Sequence, residues 1–177
     1  KNKLSDIDVA PDVKLPRYRQ LADLIRTYGS ETFVEVGTWN GGRAVEMALA
    51  SFESKDKVHY IGFDLFEEAT EELDKYELNS KPHNTIVAVN NRLQEFADKM
   101  KEKGKEFTFE LHKGDSKETL YKAKERIANA NFAFIDGGHS EETVLSDYAN
   151  LKHCDVIVFD DYFSKDQEGN ILADEYL

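Results

Sequence analysis

The sequence predicts a doubly wound, mostly parallel, Rossmann-like α/β sheet with helices on both faces. Three observations predict it. Short apolar runs alternate with segments of helical spacing along most of the 177 residues. Several of those runs are continuously apolar, as strands are when helices cover both faces of a sheet. An acid also stands at or near the end of each run, at the edge where such sheets bind their ligands.

The elements follow in order. "LPRYRQLADLIRTYG" reads as a helix, with Pro16 in its first turn, a stripe of Leu21, Leu24, Ile25 and Tyr28, and Gly29 at its exit. Strand "TFVEVG", helix "GRAVEMALASF" and strand "VHYIGFD" come next. A helical insertion over about residues 65–105 then carries two patterns. The first is acidic; the second places Ile86, Val89, Leu93, Phe96 and Met100 at helical spacing, and "SKPHN" separates the two. Its length suggests a substrate lid or a dimer surface, and so allows a homo-oligomer. Strand "EFTFELHKGD" alternates Phe107, Phe109 and Leu111, and helix "KETLYKAKERIA" leads to strand "NFAFIDGG". Helix "SEETVLSDYANL" then precedes strand "CDVIVFDDY". The polar tail after Tyr162 is short, so the sheet is expected to lack its closing strands.

Composition narrows the partners. The formal net charge of −12 repels nucleic acid and anionic membrane surfaces. The apolar runs are too short to span a bilayer. The length suits a single domain over residues 1–177. Lys1 stands where an initiator Met would, so the chain reads as processed or trimmed. The one cysteine, Cys154, lies in an apolar run and reads as a small core residue. A single cysteine fits a reducing compartment, and a cytoplasmic location is the expectation.

The loop "EVGTWNGG" over residues 35–42 sits between a strand and a helix. It is neither G-x-G-x-x-G nor a P-loop, so a nicotinamide or nucleotide-phosphate site lacks its fingerprint. S-adenosylmethionine has no phosphates and is zwitterionic at its amino-acid end. It needs close backbone approach, a helix N-terminus for its carboxylate, and acids for its ammonium and ribose hydroxyls. Glu35, Gly37, Thr38 and Gly41, followed by Asp64 at the end of the second strand, supply those parts.

On four segments in order the chain resembles the class I S-adenosylmethionine-dependent methyltransferases, and among them the macrocin-type small-molecule O-methyltransferases. The segments are "FVEVGTWNGG", "YIGFDLF", "KGDSKETL", and "FAFIDGGHSEETVLSDYANL" followed by "DVIVFDDYF". The resemblance covers most of residues 17 to 163. It implies that Gly37 and Gly41 cradle the cofactor, that Asp64 holds the ribose, and that Asp115 and Ser116 line the adenine. It also implies that Asp136 lies near the reactive methyl. In metal-dependent relatives, acids ending the fourth and fifth strands hold a divalent cation, and Asp136, Asp160 and Asp161 match those positions. Hard oxygen donors suit Mg²⁺ or Ca²⁺. A metal there would lower the pKa of an acceptor hydroxyl, and His139 is either the proton acceptor beside it or a helix N-terminal residue bonded to nearby backbone.

The implied function is methyl transfer to a hydroxyl of a small molecule. A nucleotide-dependent α/β enzyme and a non-catalytic cofactor-binding module of the same fold are the rival readings. Trp39 is either a cofactor stacking partner or a loop anchor, and Phe66 either flanks the adenine or packs in the core. His59, His83, His112 and His153 share no metal-like spacing.

Overall fold

A computed structural model describes residues 16–160 of the chain. The elements are α1 (Pro16–Tyr28), β1 (Thr32–Val36), α2 (Gly42–Phe52), β2 (Lys57–Asp64), α3 (Glu71–Tyr76), α4 (Ile86–Glu102), β3 (Glu106–Lys113), α5 (Ser116–Lys122), α6 (Lys124–Ile127), β4 (Phe132–Ile135), α7 (Glu141–Leu151) and β5 (Val156–Phe159). The five strands form one sheet in the order β3-β2-β1-β4-β5. Every pairing is parallel. The order reverses at β1, which lies between β2 and β4, so the crevice at its carboxyl end is the switch point of a doubly wound fold.

The continuous apolar strands follow from two separate cores. Side chains alternate along β1: Phe33 joins Tyr18, Ile25, Phe52, Leu93 and Phe132 on one face, while Val34 and Val36 join Leu120, Ile127, Ile135 and Leu151 on the other. The first face is covered by α1, α2 and α4, the second by α5, α6 and α7. Phe33 meets Phe132 edge to face at 6.0 Å, and Phe96 of α4 meets Phe107 of β3 at 4.9 Å. Burial of each such ring stabilises the fold by about 1.5–3 kcal/mol. Cys154 belongs to the second core, and burial pushes its thiol up to about 11, so it is a packing residue.

The segment expected as a helical insertion divides in two. Helix α4 buries Val89, Leu93, Phe96 and Met100 and is the crossover that a parallel β2–β3 pair requires. The remainder, residues 66–85, holds a 3-10 turn over Phe66–Glu68 and α3, and it runs across the strand ends. The helix expected at "KETLYKAKERIA" is two helices that meet at Ala123. Among the described residues no helix is long and apolar enough to cross a membrane. Asp161 and the tail beyond it, where closing strands were in question, lie outside the described residues.

Candidate active site

The period-two alternation that puts Phe33 under α1 and α2 puts Glu35 on the same face. Glu35 is wholly buried, as is Tyr60. The Tyr60 hydroxyl donates to Glu35 Oε2 at 2.5 Å, and the buried Thr38 hydroxyl lies 3.1 Å from the same phenolic oxygen. Gly62 leaves the room for this trio, because a Cβ there would fall 2.5 Å from Thr38 Oγ1 and 2.7 Å from the Tyr60 hydroxyl. Glu35 Oε1 is buried with no hydrogen-bond partner among the described residues. Burial pushes the Glu35 carboxyl well above the usual carboxylate range. The Tyr60 bond and the Arg43 charge oppose that shift, while the like charges of Asp136 and Asp64 add to it.

Asp64, at the end of β2, fastens two strained turns. Its Oδ2 accepts the Trp39 N–H at 2.8 Å and its Oδ1 accepts the Phe66 N–H at 2.7 Å. Both donors sit in the left-handed region, with φ 47° and φ 50°. Such non-glycine conformations cost about 1–3 kcal/mol each and persist where their surroundings hold them. Burial raises the Asp64 carboxyl in spite of the two N–H donors. Phe66 is fully buried in the core, and the Trp39 indole N–H donates to the Pro82 carbonyl at 3.0 Å. These contacts make Phe66 a core residue and Trp39 a loop anchor.

The loop glycines are needed, and what surrounds them is protein. Gly37 has φ +90°, and a Cβ on it would collide with the Asp136 carbonyl. The β1 loop thus lies directly against the β4 loop. Gly41 caps α2 with φ +77° and packs against Val89 and Leu93 of α4. Asp115 is the N-cap of α5, taking the Lys117 N–H at 2.9 Å, and Ser116 opens that helix.

Asp136 and Asp160 follow the paired ends of β4 and β5, and the Asp160 N–H donates to the Ile135 carbonyl at 2.9 Å. Tyr18 of α1 reaches toward both. Its hydroxyl is 3.4 Å from Asp160 Oδ2. Burial raises its pKa; the Arg43 hydrogen bond lowers it, and the Asp160 and Asp136 charges raise it further. The Arg43 guanidinium stacks 3.2 Å over the Tyr18 ring and pairs with Glu46 at 3.2 Å, placing one buried cation among these acids. Among the described residues no group of three His, Cys, Asp or Glu side chains is arranged to hold a metal. The expected third ligand, Asp161, lies outside them. His139 is exposed on the loop between β4 and α7.

Two acids were not singled out in the sequence. Glu77, just past α3, is buried against the start of α7. Its carboxylate accepts the Ser140 N–H at 2.9 Å, the Ser140 hydroxyl at 3.0 Å and the Thr143 hydroxyl at 2.7 Å. Burial alone would raise its pKa, but these donors and nearby Lys117 hold it below the usual range. Asp147 of α7 is fully buried, with no hydrogen bond to either carboxylate oxygen among the described residues. Burial pushes it up to about 7; the Ser116 hydroxyl beside it opposes the shift only in part. An acid on a solvated-looking helix gives no local sign of burial, so a sequence pattern has nothing to flag at either position. A surface hollow between α1 and α2 is lined by Arg19, Asp23, Arg26, Glu46 and Glu53. It is formed by the helices and not by the strand ends, and Arg26 is already paired there with Glu53 and Asp23.

The chain is similar to known proteins in these ways. The sequence model of a family described as "Methyltransferase domain" matches residues 34–162. No curated protein matches the chain. Among solved structures, the calicheamicin methyltransferase CalS11 aligns over 90% of this chain and 74% of its own, with a TM-score of 0.54 at 15% identity, a likeness of fold. The MycE methyltransferase of the mycinamycin pathway, solved with Mg and SAH, aligns over 77% of this chain and 28% of its own, with a TM-score of 0.43 at 14% identity.

Proposed function

This chain belongs to the methyltransferase-domain family, and from that premise we propose that it transfers a methyl group from S-adenosylmethionine to a hydroxyl of a small molecule, a sugar or a natural-product intermediate. The observation that carries the reading is Glu35: a fully buried acid, held through one oxygen by Tyr60, whose other oxygen lacks a partner. Such an acid calls for a cationic ligand. An amino-acid ammonium fits it, and neighbouring Asp64 and Asp136 add to the negative field.

In this reading the residues divide the work. Glu35 holds the ammonium. Asp64, pre-set by two backbone N–H donors, keeps lone pairs for ribose hydroxyls. Thr38 acts through Tyr60, while Gly37 and Gly41 shape the loop. Asp115 and Ser116 border the adenine. The cofactor supplies an electrophilic methyl on sulfur. Asp136 orients the acceptor hydroxyl toward that carbon, and His139 takes the hydroxyl proton as the new O–C bond forms and the S–C bond breaks. Asp136, Asp160 and Asp161 would hold a Mg²⁺ or Ca²⁺ ion that acidifies the acceptor hydroxyl. The oxygen-only chemistry of Asp136 and Asp160 on adjacent strand ends supports that part. A cytoplasmic setting and an acceptor other than nucleic acid belong to the same reading, supported by the single cysteine and the net charge.

The test is mass spectrometry of a metabolite pool incubated with the chain, S-adenosylmethionine and Mg²⁺. The expected result is a gain of one methyl on a hydroxylated metabolite, lost with chelator and in Asp160→Asn. Turnover that resists chelator removes the metal from the reading and leaves His139 and positioning. Methylation confined to an amine or thiol overturns the hydroxyl acceptor.

A further inference from the structure

The segment between α3 and α4 touches both loops that carry the candidate chemistry. At one side the Pro82 carbonyl takes the Trp39 indole N–H at 3.0 Å, on the loop after β1. At the other, Lys81 Nζ stands 3.8 Å from Asp136 Oδ2, on the loop after β4. The segment is also closed on itself. His83 Nε2 lies 2.7 Å and Asn79 Nδ2 lies 3.0 Å from Asp74 Oδ1, and the Asn79 N–H donates to the Asp74 carbonyl at 2.8 Å. Residues 74–83 therefore form a strap with its own internal bonds, lying over the strand ends.

What fastens the strap is Glu77. Most strap contacts are exposed and therefore weak: the Lys81–Asp136 pair is half in solvent on the lysine side, where water screens it. Glu77 differs. Its carboxylate is buried at the N-terminus of α7, takes three hydrogen bonds of 2.7–3.0 Å, and gains from the helix dipole. Lys117 of α5 extends the network by donating to Thr143 at 3.2 Å. The β4–α7 loop is shaped to receive this acid. A Cβ on Gly138 would collide with the Glu77 carboxylate, so only glycine admits it. Glu77 thus grips the loop that holds Asp136 on one side and His139 on the other.

We propose that Glu77 is a positioning residue: it clasps the strap to the β4–α7 loop, so that the strap and the loop bearing Asp136 and His139 move as one body over the cofactor site. The inference rests on the methyltransferase reading for what lies beneath the strap. The clasp itself rests on the contacts above.

Hydrogen exchange of the full-length chain tests it, read by mass spectrometry on peptides spanning residues 77–85 and 136–141, with α1 as the internal reference. Glu77→Gln removes the charge and replaces one acceptor oxygen with an NH2 group that cannot accept, so one amide can no longer take both the Ser140 N–H and the two hydroxyl donors. Gly138→Ala expels the carboxylate from the opposite side while leaving Glu77 intact, and stands in if Glu77→Gln does not fold. In each variant, exchange should rise at least tenfold in both peptides together and stay unchanged in α1. Adding S-adenosylhomocysteine should protect both peptides in the wild type but only residues 136–141 in the variants. A residue that merely stabilises the fold would raise exchange in α1 too and leave the ligand's protection of both peptides linked. Unchanged strap exchange in the variants, or protection that still spreads to both peptides, overturns the proposal. If the wild type does not bind S-adenosylhomocysteine, the methyltransferase reading fails, and the ligand-free tenfold rise alone supports or overturns the clasp.

Discussion

The two sides of the switch point are built differently. On the β1–β2 side, Glu35, Thr38, Tyr60 and Asp64 come from a stretch of 30 residues. They are buried or half-buried, and their contacts are short: 2.5 Å from Tyr60 to Glu35, 2.7 and 2.8 Å from backbone N–H groups to Asp64. On the β4–β5 side, the partners come from distant parts of the chain. Tyr18 and Asp160 are 142 positions apart, and Glu77 and Ser140 are 63 apart. The Glu77 bonds there are short, at 2.7–3.0 Å, but Tyr18 lies 3.4 Å from Asp160 and Lys81 lies 3.8 Å from Asp136. A half already tied together by short internal bonds suits a cofactor common to every turnover. A half assembled from a strap, a loop and α1 suits an acceptor that must enter and leave.

The largest expected effect strikes the seam between the halves. Gly37→Val adds a β-branched side chain at φ +90° against the Asp136 carbonyl. It should cost roughly 3–5 kcal/mol of stability by the usual scale for core strain, read as a lowered urea midpoint. A variant that keeps wild-type stability would show that the two loops are not packed together. Gly37 is therefore a poor probe of cofactor binding alone.

Glu35→Gln separates ligand binding from stability on the preorganised side. The amide keeps the Tyr60 bond and relieves the field from Asp136 and Asp64, so the melting temperature should hold or rise. Affinity for S-adenosylmethionine should fall by about 1.5–3 kcal/mol, the usual cost of losing a charged hydrogen bond. A loss of stability with affinity intact would reverse the assignment.

Asp147 tests whether the α5–α7 seam beside the clasp carries a buried proton. Its carboxyl titrates at about 7 in the fold against about 3.9 in an unfolded chain. Between those values the folded state binds more protons, so stability falls as pH rises through roughly 4 to 7. Three units set a ceiling of about 4 kcal/mol, and solvent relaxation should leave about 1–2 kcal/mol. Asp147→Asn should match the wild type near pH 4 and exceed it at pH 8 in denaturation curves. Equal pH profiles would mean the carboxyl is solvated.

The smallest effect is a control on the surface. Arg26 pairs with Glu53 at 2.8 Å in partial exposure, and Arg26→Ala should cost under about 1 kcal/mol and leave cofactor affinity unchanged. A change in affinity would mean that the hollow between α1 and α2 communicates with the strand ends.

The same contrast explains what could be read in advance. Glu35, Gly37, Gly41 and Asp64 could be placed from the sequence because they lie in one strand-loop-helix-strand unit, where spacing fixes position. Period alone placed the α4 stripe, yet it could not tell a crossover helix from an insertion; that depends on which strand the stripe covers. Tyr60 was hidden inside an apolar strand, since only the register that sets it opposite Phe33, two positions before Glu35 on the same face, brings its hydroxyl to the acid. Glu77 and Asp147 were hidden for the opposite reason, among acids that look solvated. The resemblance pointed to Asp136 and Asp160, and adjacency of β4 and β5 brings them side by side. Asp161 lies outside the described residues.

The central claim is that the buried acids at the end of β1 and β2 receive a cationic, phosphate-free cofactor. Calorimetric titration of S-adenosylmethionine into the full-length wild-type chain tests it most directly. One site per chain is expected, with a dissociation constant in the micromolar range, about −7 to −9 kcal/mol, and a clear weakening in Glu35→Gln. No saturable heat up to millimolar ligand, or equal binding by the variant, would contradict it.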